Sequence, residues 1–117
     1  MDETYKMSML LDFYGQLITK RQNEVLDLYY NSDYSLGEIA EELKISRQGV
    51  YDNIRRGKAA LFEMENKLGL VTRFIKQKER ASEILKLLEN LDISLLQARD
   101  QEILDRAKQE VKSIMED

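Results

Sequence analysis

No proline occurs anywhere in the 117 residues. Proline breaks a helix interior because it has no amide to donate and its ring collides with the preceding turn. Its absence stands beside 34% charged residues and apolar residues spaced three and four apart, and together these predict an all-α chain. Helix starts are marked by Ser or Thr followed three residues later by Glu or Gln. In such a capping box the hydroxyl accepts from a first-turn amide and the longer side chain reaches back to the cap. The pattern occurs at Thr19-Gln22, Ser35-Glu38 and Ser94-Gln97.

Six helices are predicted, at about 4–16, 20–30, 36–43, 47–67, 71–90 and from Ser94 to about 115. The first carries Met7, Leu10, Leu11 and Tyr14 on one face, and the second Val25, Leu26, Leu28 and Tyr29. Asn31-Ser32-Asp33 is a polar, turn-prone break, and Asn90-Leu91-Asp92 is another. Gly69 suits a left-handed C-cap. Gly57, inside the fourth helix, leaves room for a bend at a cost of about 1 kcal/mol relative to alanine. Residues 1–69 and 70–117 read as two parts, a compact N-terminal domain and a C-terminal helical hairpin. The hairpin is expected to pack on the first part or to form a dimer interface.

Composition narrows the chemistry. Histidine and cysteine are absent, so zinc sites built on imidazole or sulfur and nucleophilic Cys-His or Ser-His pairs are excluded. The five glycines are isolated, and none forms a phosphate-cradling loop. The carboxylates, lysines and hydroxyls that remain are spread as a solvated helical surface spreads them. No catalytic residue, metal ligand or cofactor is assigned, and an enzyme is not expected. No apolar run reaches the roughly 18 residues of a membrane span. The N-terminus MDETYKMSML carries acids where an export signal carries bases, so a cytoplasmic protein is expected.

The stretch LGEIAEELKISRQGVYDNIRRG, residues 36–57, is the most informative. Ala40 is small where a second helix would cross, and Leu43 and Ile45 bracket a tight turn. Ser46 offers an N-cap, and Val50 and Ile54 lie one turn apart. These spacings agree on a helix-turn-helix. The net charge is -4, yet residues 44–58 hold five bases and a single acid, Asp52. With Val50 and Ile54 inward, Arg47, Gln48, Tyr51, Asp52 and Arg55 fall outward or to the flanks. Early residues of a recognition helix meet base edges, so Arg47 suits guanine and Gln48 adenine. Tyr51 suits a thymine methyl or a phosphate, and Arg55, Arg56 and Lys58 suit backbone phosphates. Lys20 and Arg21 open the second helix, where an anion is favoured. Double-stranded DNA is the expected partner.

Two resemblances follow from the same residues. LITKRQNEVLDLYY followed by SLGEIAEELKISRQGVYDNIRR resembles region four of bacterial sigma factors. LLDFYGQLITKRQ, LYYNSDYSLGEIAEE and SRQGVYDNI resemble the YlxM-like family of small helix-turn-helix proteins, over about residues 5–68. The sigma resemblance implies base-facing positions at Arg47, Gln48, Tyr51 and Asp52. The family resemblance implies a regulatory protein linked to the signal recognition particle pathway. The sequence departs from the usual pattern at Lys44, in a turn where glycine is common, and at Asp52, which repels phosphate unless it accepts from a cytosine amine.

Beyond residue 70, Phe74, Ala81, Leu88 and Leu95 recur every seven residues, with Ile84 and Leu91 between them. Ile103, Leu104, Ala107, Val111 and Ile114 form a second apolar stripe. Two such helices suit a homodimer. The function expected is DNA-binding regulation. The alternative is a protein- or RNA-interaction module of the signal recognition particle pathway that keeps the scaffold without sequence-specific DNA binding.

Overall fold

A computed structural model describes residues 2–116, which form helices and connecting turns with no strand among them. The helices are α1 (Glu3–Tyr14), α2 (Lys20–Leu26), α3 (Leu36–Leu43), α4 (Arg47–Leu68), α5 (Leu70–Glu89) and α6 (Ala98–Glu116). The chain divides into two compact units, Met1–Val71 and Thr72–Asp117.

The first unit is built around side chains that the helical spacing sends to one place. Met7, Leu10 and Tyr14 of α1, Val25 and Leu26 of α2, Ile39 of α3, and Val50 and Leu61 of α4 are all buried. Burying an aliphatic or aromatic side chain of this size stabilises by about 1.5–3 kcal/mol, so this cluster dominates the unit's energetics. Capping boxes form at Thr19 and Ser35 as the sequence predicts, and Ser46 accepts from the Gly49 amide.

Helix α4 runs unbroken through Gly57, from Arg47 to Leu68. The lack of a side chain at Gly57 lets α2 and α4 approach closely. A Cβ at Gly57 would stand 2.7 Å from Leu26 Cδ1 and 3.3 Å from Gln22 Cβ. The second predicted helix also differs from expectation. It is α-helical only to Leu26 and continues as a π-helical segment over Asp27–Asn31. The wider turn takes up an extra residue, and the chain leaves it through Asp33 at φ 58°.

The end of the unit is fastened by a feature with no local sequence signature. The Tyr14 hydroxyl donates to Glu65 Oε1 at 2.6 Å and accepts from the Leu70 amide at 3.1 Å. The same carboxylate oxygen accepts from the Val71 amide at 3.0 Å. Two first-turn amides of α5, which no helical carbonyl can satisfy, thus find partners on α1 and α4. Gly69 lies between the helices at φ 64°, the left-handed cap foreseen for it. Burial, and then the Glu65 carboxylate, push the Tyr14 phenol above its ordinary value.

The second unit holds most of α5 and all of α6, joined by residues 90–97. The capping box expected at Ser94-Gln97 does not form, and α6 begins four residues later than predicted, at Ala98. Asp92 explains the delay. Its Oδ1 accepts from the Ser94 amide at 3.0 Å and from the Ser94 hydroxyl at 2.7 Å, so the capping group is already bound to a turn. These bonds hold the Asp92 carboxyl below its usual range. No residue of α6 is fully buried.

Candidate nucleic-acid interface

The turn between α3 and α4 is tight because its backbone closes on a single carbonyl. The amides of Lys44 and Ile45 both donate to the Ala40 carbonyl, the Ile45 bond at 3.1 Å. Lys44 must then be left-handed, at φ 57° and ψ 45°. For a residue with a Cβ this costs roughly 1–2 kcal/mol, which the burial of Ile39 and Val50 on either side of the turn offsets. Ser46 starts α4 directly after the turn, so its first two turns stand next to α3.

The predicted contact residues fall into three groups. Arg47, Gln48, Tyr51 and Arg55 are exposed and Asp52 is half-buried, all on the first turns of α4 above the buried Val50 and Ile54. Tyr51 is 52% exposed, a large apolar ring left open to solvent. Gln48 Nε2 donates to Asp52 Oδ1 at 3.2 Å, and Arg55 Nη2 lies 4.0 Å from the same oxygen. Arg56 is exposed, and among the described residues neither it nor Arg47 forms an ion pair.

Arg47 is held by a residue that sequence reasoning did not single out. A Cβ on Gly37, near the start of α3, would lie 2.8 Å from Arg47 Nη2 and 3.2 Å from its Cζ. The guanidinium therefore rests against the bare backbone of Gly37. Any larger residue there would displace it.

Lys58, expected to meet a phosphate, has a partner within the chain. Its ammonium donates to Glu3 Oε1 at 2.8 Å and sits 5.7 Å from the centre of the Tyr30 ring. Its hydrogen bond with Glu3 raises the ammonium's pKa and lowers that of the Glu3 carboxyl. Lys58 thus ties α4 to α1 and to the π-helical segment, along a groove of about 830 Å³ lined by Tyr29, Tyr30, Tyr34 and Tyr51. Of the pair at the start of α2, Arg21 lies 3.7 Å from Glu24, and Lys20 is exposed. Neither joins the α4 group through a hydrogen bond or ion pair.

The short α3 and the first turns of α4, joined by a tight turn and led by polar side chains, constitute a helix-turn-helix. The sequence profile of the family described as "UPF0122: Putative helix-turn-helix protein, YlxM / p13 like" matches residues 1–103. The chain belongs to the UPF0122 family. A UPF0122 protein of Acetivibrio thermocellus is 60% identical over 116 residues, covering 99% of each chain. One from Halalkalibacterium halodurans is 45% identical over 105 residues, covering 79% of this chain and 96% of the relative. One from Desulforamulus reducens is 38% identical over 116 residues, covering 99% and 96%.

No group of three or more acidic side chains that could hold a metal ion occurs among the described residues. No helix among them is long and apolar enough to cross a membrane.

Proposed function

We propose that this chain is a DNA-binding regulatory protein that reads duplex DNA with the first turns of α4. The observation that carries this reading is the exposed group Arg47, Gln48, Tyr51 and Arg55, standing on the buried Val50 and Ile54. A rigid helix that presents arginine, amide and aromatic groups to solvent has the chemistry of a major-groove reader. Arg47 and Gln48 would meet base edges, and Tyr51 a thymine methyl or a phosphate. Arg55 and Arg56, later on the helix, would meet phosphates. Lys20 and Arg21 are candidates for a further phosphate contact, whereas Lys58 is left to its Glu3 pairing. The protein is proposed to act in the cytoplasm as a homodimer, since one recognition helix reads few base pairs.

A specific observation favours a second reading. Glu38, Glu41 and Glu42 are all exposed on α3, beside the recognition helix, and they oppose close approach of a phosphate backbone. A protein- or RNA-interaction module of the signal recognition particle pathway, as the YlxM-like resemblance implies, would keep the scaffold without reading a DNA sequence. One experiment separates the two. Gel shifts of the full chain against genomic DNA fragments and signal-recognition-particle RNA are run at two salt concentrations. The DNA reading expects duplex shifts that weaken steeply with salt. Shifts with the RNA alone, or with neither, would remove it.

A further inference from the structure

Asp52 is the one acid in the basic stretch from Lys44 to Lys58, and it stands between two of the residues proposed to touch DNA. Gln48 lies one turn before it and Arg55 one turn after it, both on its own side of α4. Its Oδ1 accepts from Gln48 Nε2 at 3.2 Å and lies 4.0 Å from Arg55 Nη2. A single carboxylate oxygen thus engages an amide suited to adenine and a guanidinium suited to phosphate. Arg47 and Arg56, at either end of the same surface, have no such partner among the described residues.

We propose that Asp52 is an internal restraint on the recognition helix, a specificity-setting residue that occupies Gln48 and Arg55 until a duplex displaces it. The proposal rests on the DNA-binding reading above and deepens it. On a duplex of arbitrary sequence, Arg55 gains a phosphate only by leaving Asp52, and Gln48 gains a base only by giving up its acceptor. The Asp52 carboxylate also faces the phosphates and repels them. Non-specific binding is therefore weak. A favoured site is one whose base edges replace the lost hydrogen bond at Gln48. Asp52 in this role suppresses wrong sequences more than right ones, which is how a repulsive group creates discrimination.

The pairing is open to solvent, with side-chain exposures of 61% for Arg55 and 41% for Asp52, so the restraint is modest and reversible. Its signature is coupling between residues rather than a large single effect. The test is a double-mutant cycle on the full chain, read by fluorescence anisotropy with a labelled mixed-sequence duplex at low salt. Asp52→Asn should tighten binding about tenfold, since it removes the repulsion and the ion pair with Arg55 and leaves Gln48 only a neutral, weaker acceptor. Glu42→Gln on α3 makes the same change in net charge and should tighten it less than about threefold. Arg55→Ala should weaken the wild-type protein less than about twofold, and the Asp52→Asn protein about fivefold.

Equal losses from Arg55→Ala in both backgrounds would overturn the restraint while leaving DNA binding in place. A fall in affinity on Asp52→Asn would overturn it too, and would make Asp52 an acceptor for a base. If neither the wild type nor Asp52→Asn binds the duplex, the DNA-binding reading fails and the restraint fails with it.

Discussion

The two units of this chain obey the same rule of spacing and reach opposite ends. In the first, apolar residues three and four apart close on one another, and Met7, Leu10, Val25, Leu26, Ile39, Val50 and Leu61 are all 0% exposed. In the second, the same spacing leaves Leu87 at 68% and Ile103 at 56% exposure, and Leu95 in the joining segment at 91%. The difference is one of number. Four helices and a π-helical turn enclose a core, whereas two helices with one stripe each have too few faces to cover it. The first unit is a finished scaffold that fixes the start of α4. The second carries apolar surface still to be covered, and we propose that a second copy of the chain covers it.

Val50→Asp should have the largest effect, because it places a charge in the buried core of the first unit. The cost is about 4 kcal/mol or more, a large share of what holds a small domain together. Cooperative melting of the first unit, followed by circular dichroism, should be lost. An unchanged melting temperature would refute the inward placement of Val50.

Tyr14→Phe should come next, at about 1–3 kcal/mol, because it strands the Leu70 amide and leaves Glu65 one partner short. It should also change the response to alkali. The ordinary tyrosine value is 10.0, and the folded value lies above it. The protonated hydroxyl therefore stabilises the fold fully below pH 10.0, and that contribution is lost as pH rises through the higher folded value. Denaturant melts of Tyr14→Phe should lack this alkaline loss. If both proteins lose stability equally above pH 10.0, the hydroxyl is not the group responsible.

The smallest change in stability should come from Leu87→Glu with Ile103→Glu, since both side chains already face water. Within a single chain this pair should shift stability by less than about 1 kcal/mol. Light scattering should nonetheless go from a dimer for the wild type at micromolar concentration to a monomer for the variant. A monomeric wild type would remove the dimer proposal and leave the open stripes unexplained by it.

Most of the helices were legible in the sequence because their signals are local. Thr19 and Ser35 cap as their spacing predicts, Gly69 ends α4, and Lys44 takes the left-handed turn where glycine is usual. Ser94 shows how a local signal fails, since Asp92, two residues before it, captures both its amide and its hydroxyl. The π-helical segment was illegible because Leu28 and Tyr29 fit the spacing of an ordinary helix as well. At the candidate interface, Arg47, Gln48, Tyr51 and Arg55 came from spacing alone. The partners that hold two basic residues did not. Glu3 is distant from Lys58 in sequence, and Gly37 meets Arg47 only after α3 and α4 have crossed. Such pairings depend on tertiary structure, so residue spacing cannot announce them.

If the first turns of α4 read DNA, Arg47 and Arg56 should respond differently to sequence and salt. Binding of the wild type, Arg47→Ala and Arg56→Ala is measured by anisotropy against a selected duplex and a scrambled one, across a range of salt. Arg47→Ala should cost about 1–3 kcal/mol on the selected duplex and little on the scrambled one, if Arg47 meets base edges as we propose. Arg56→Ala should weaken both duplexes equally and lower the salt slope by about one, if it meets only phosphate as we propose. Wild-type protein that binds neither duplex at low salt would contradict the claim and leave the arginines a solvated face.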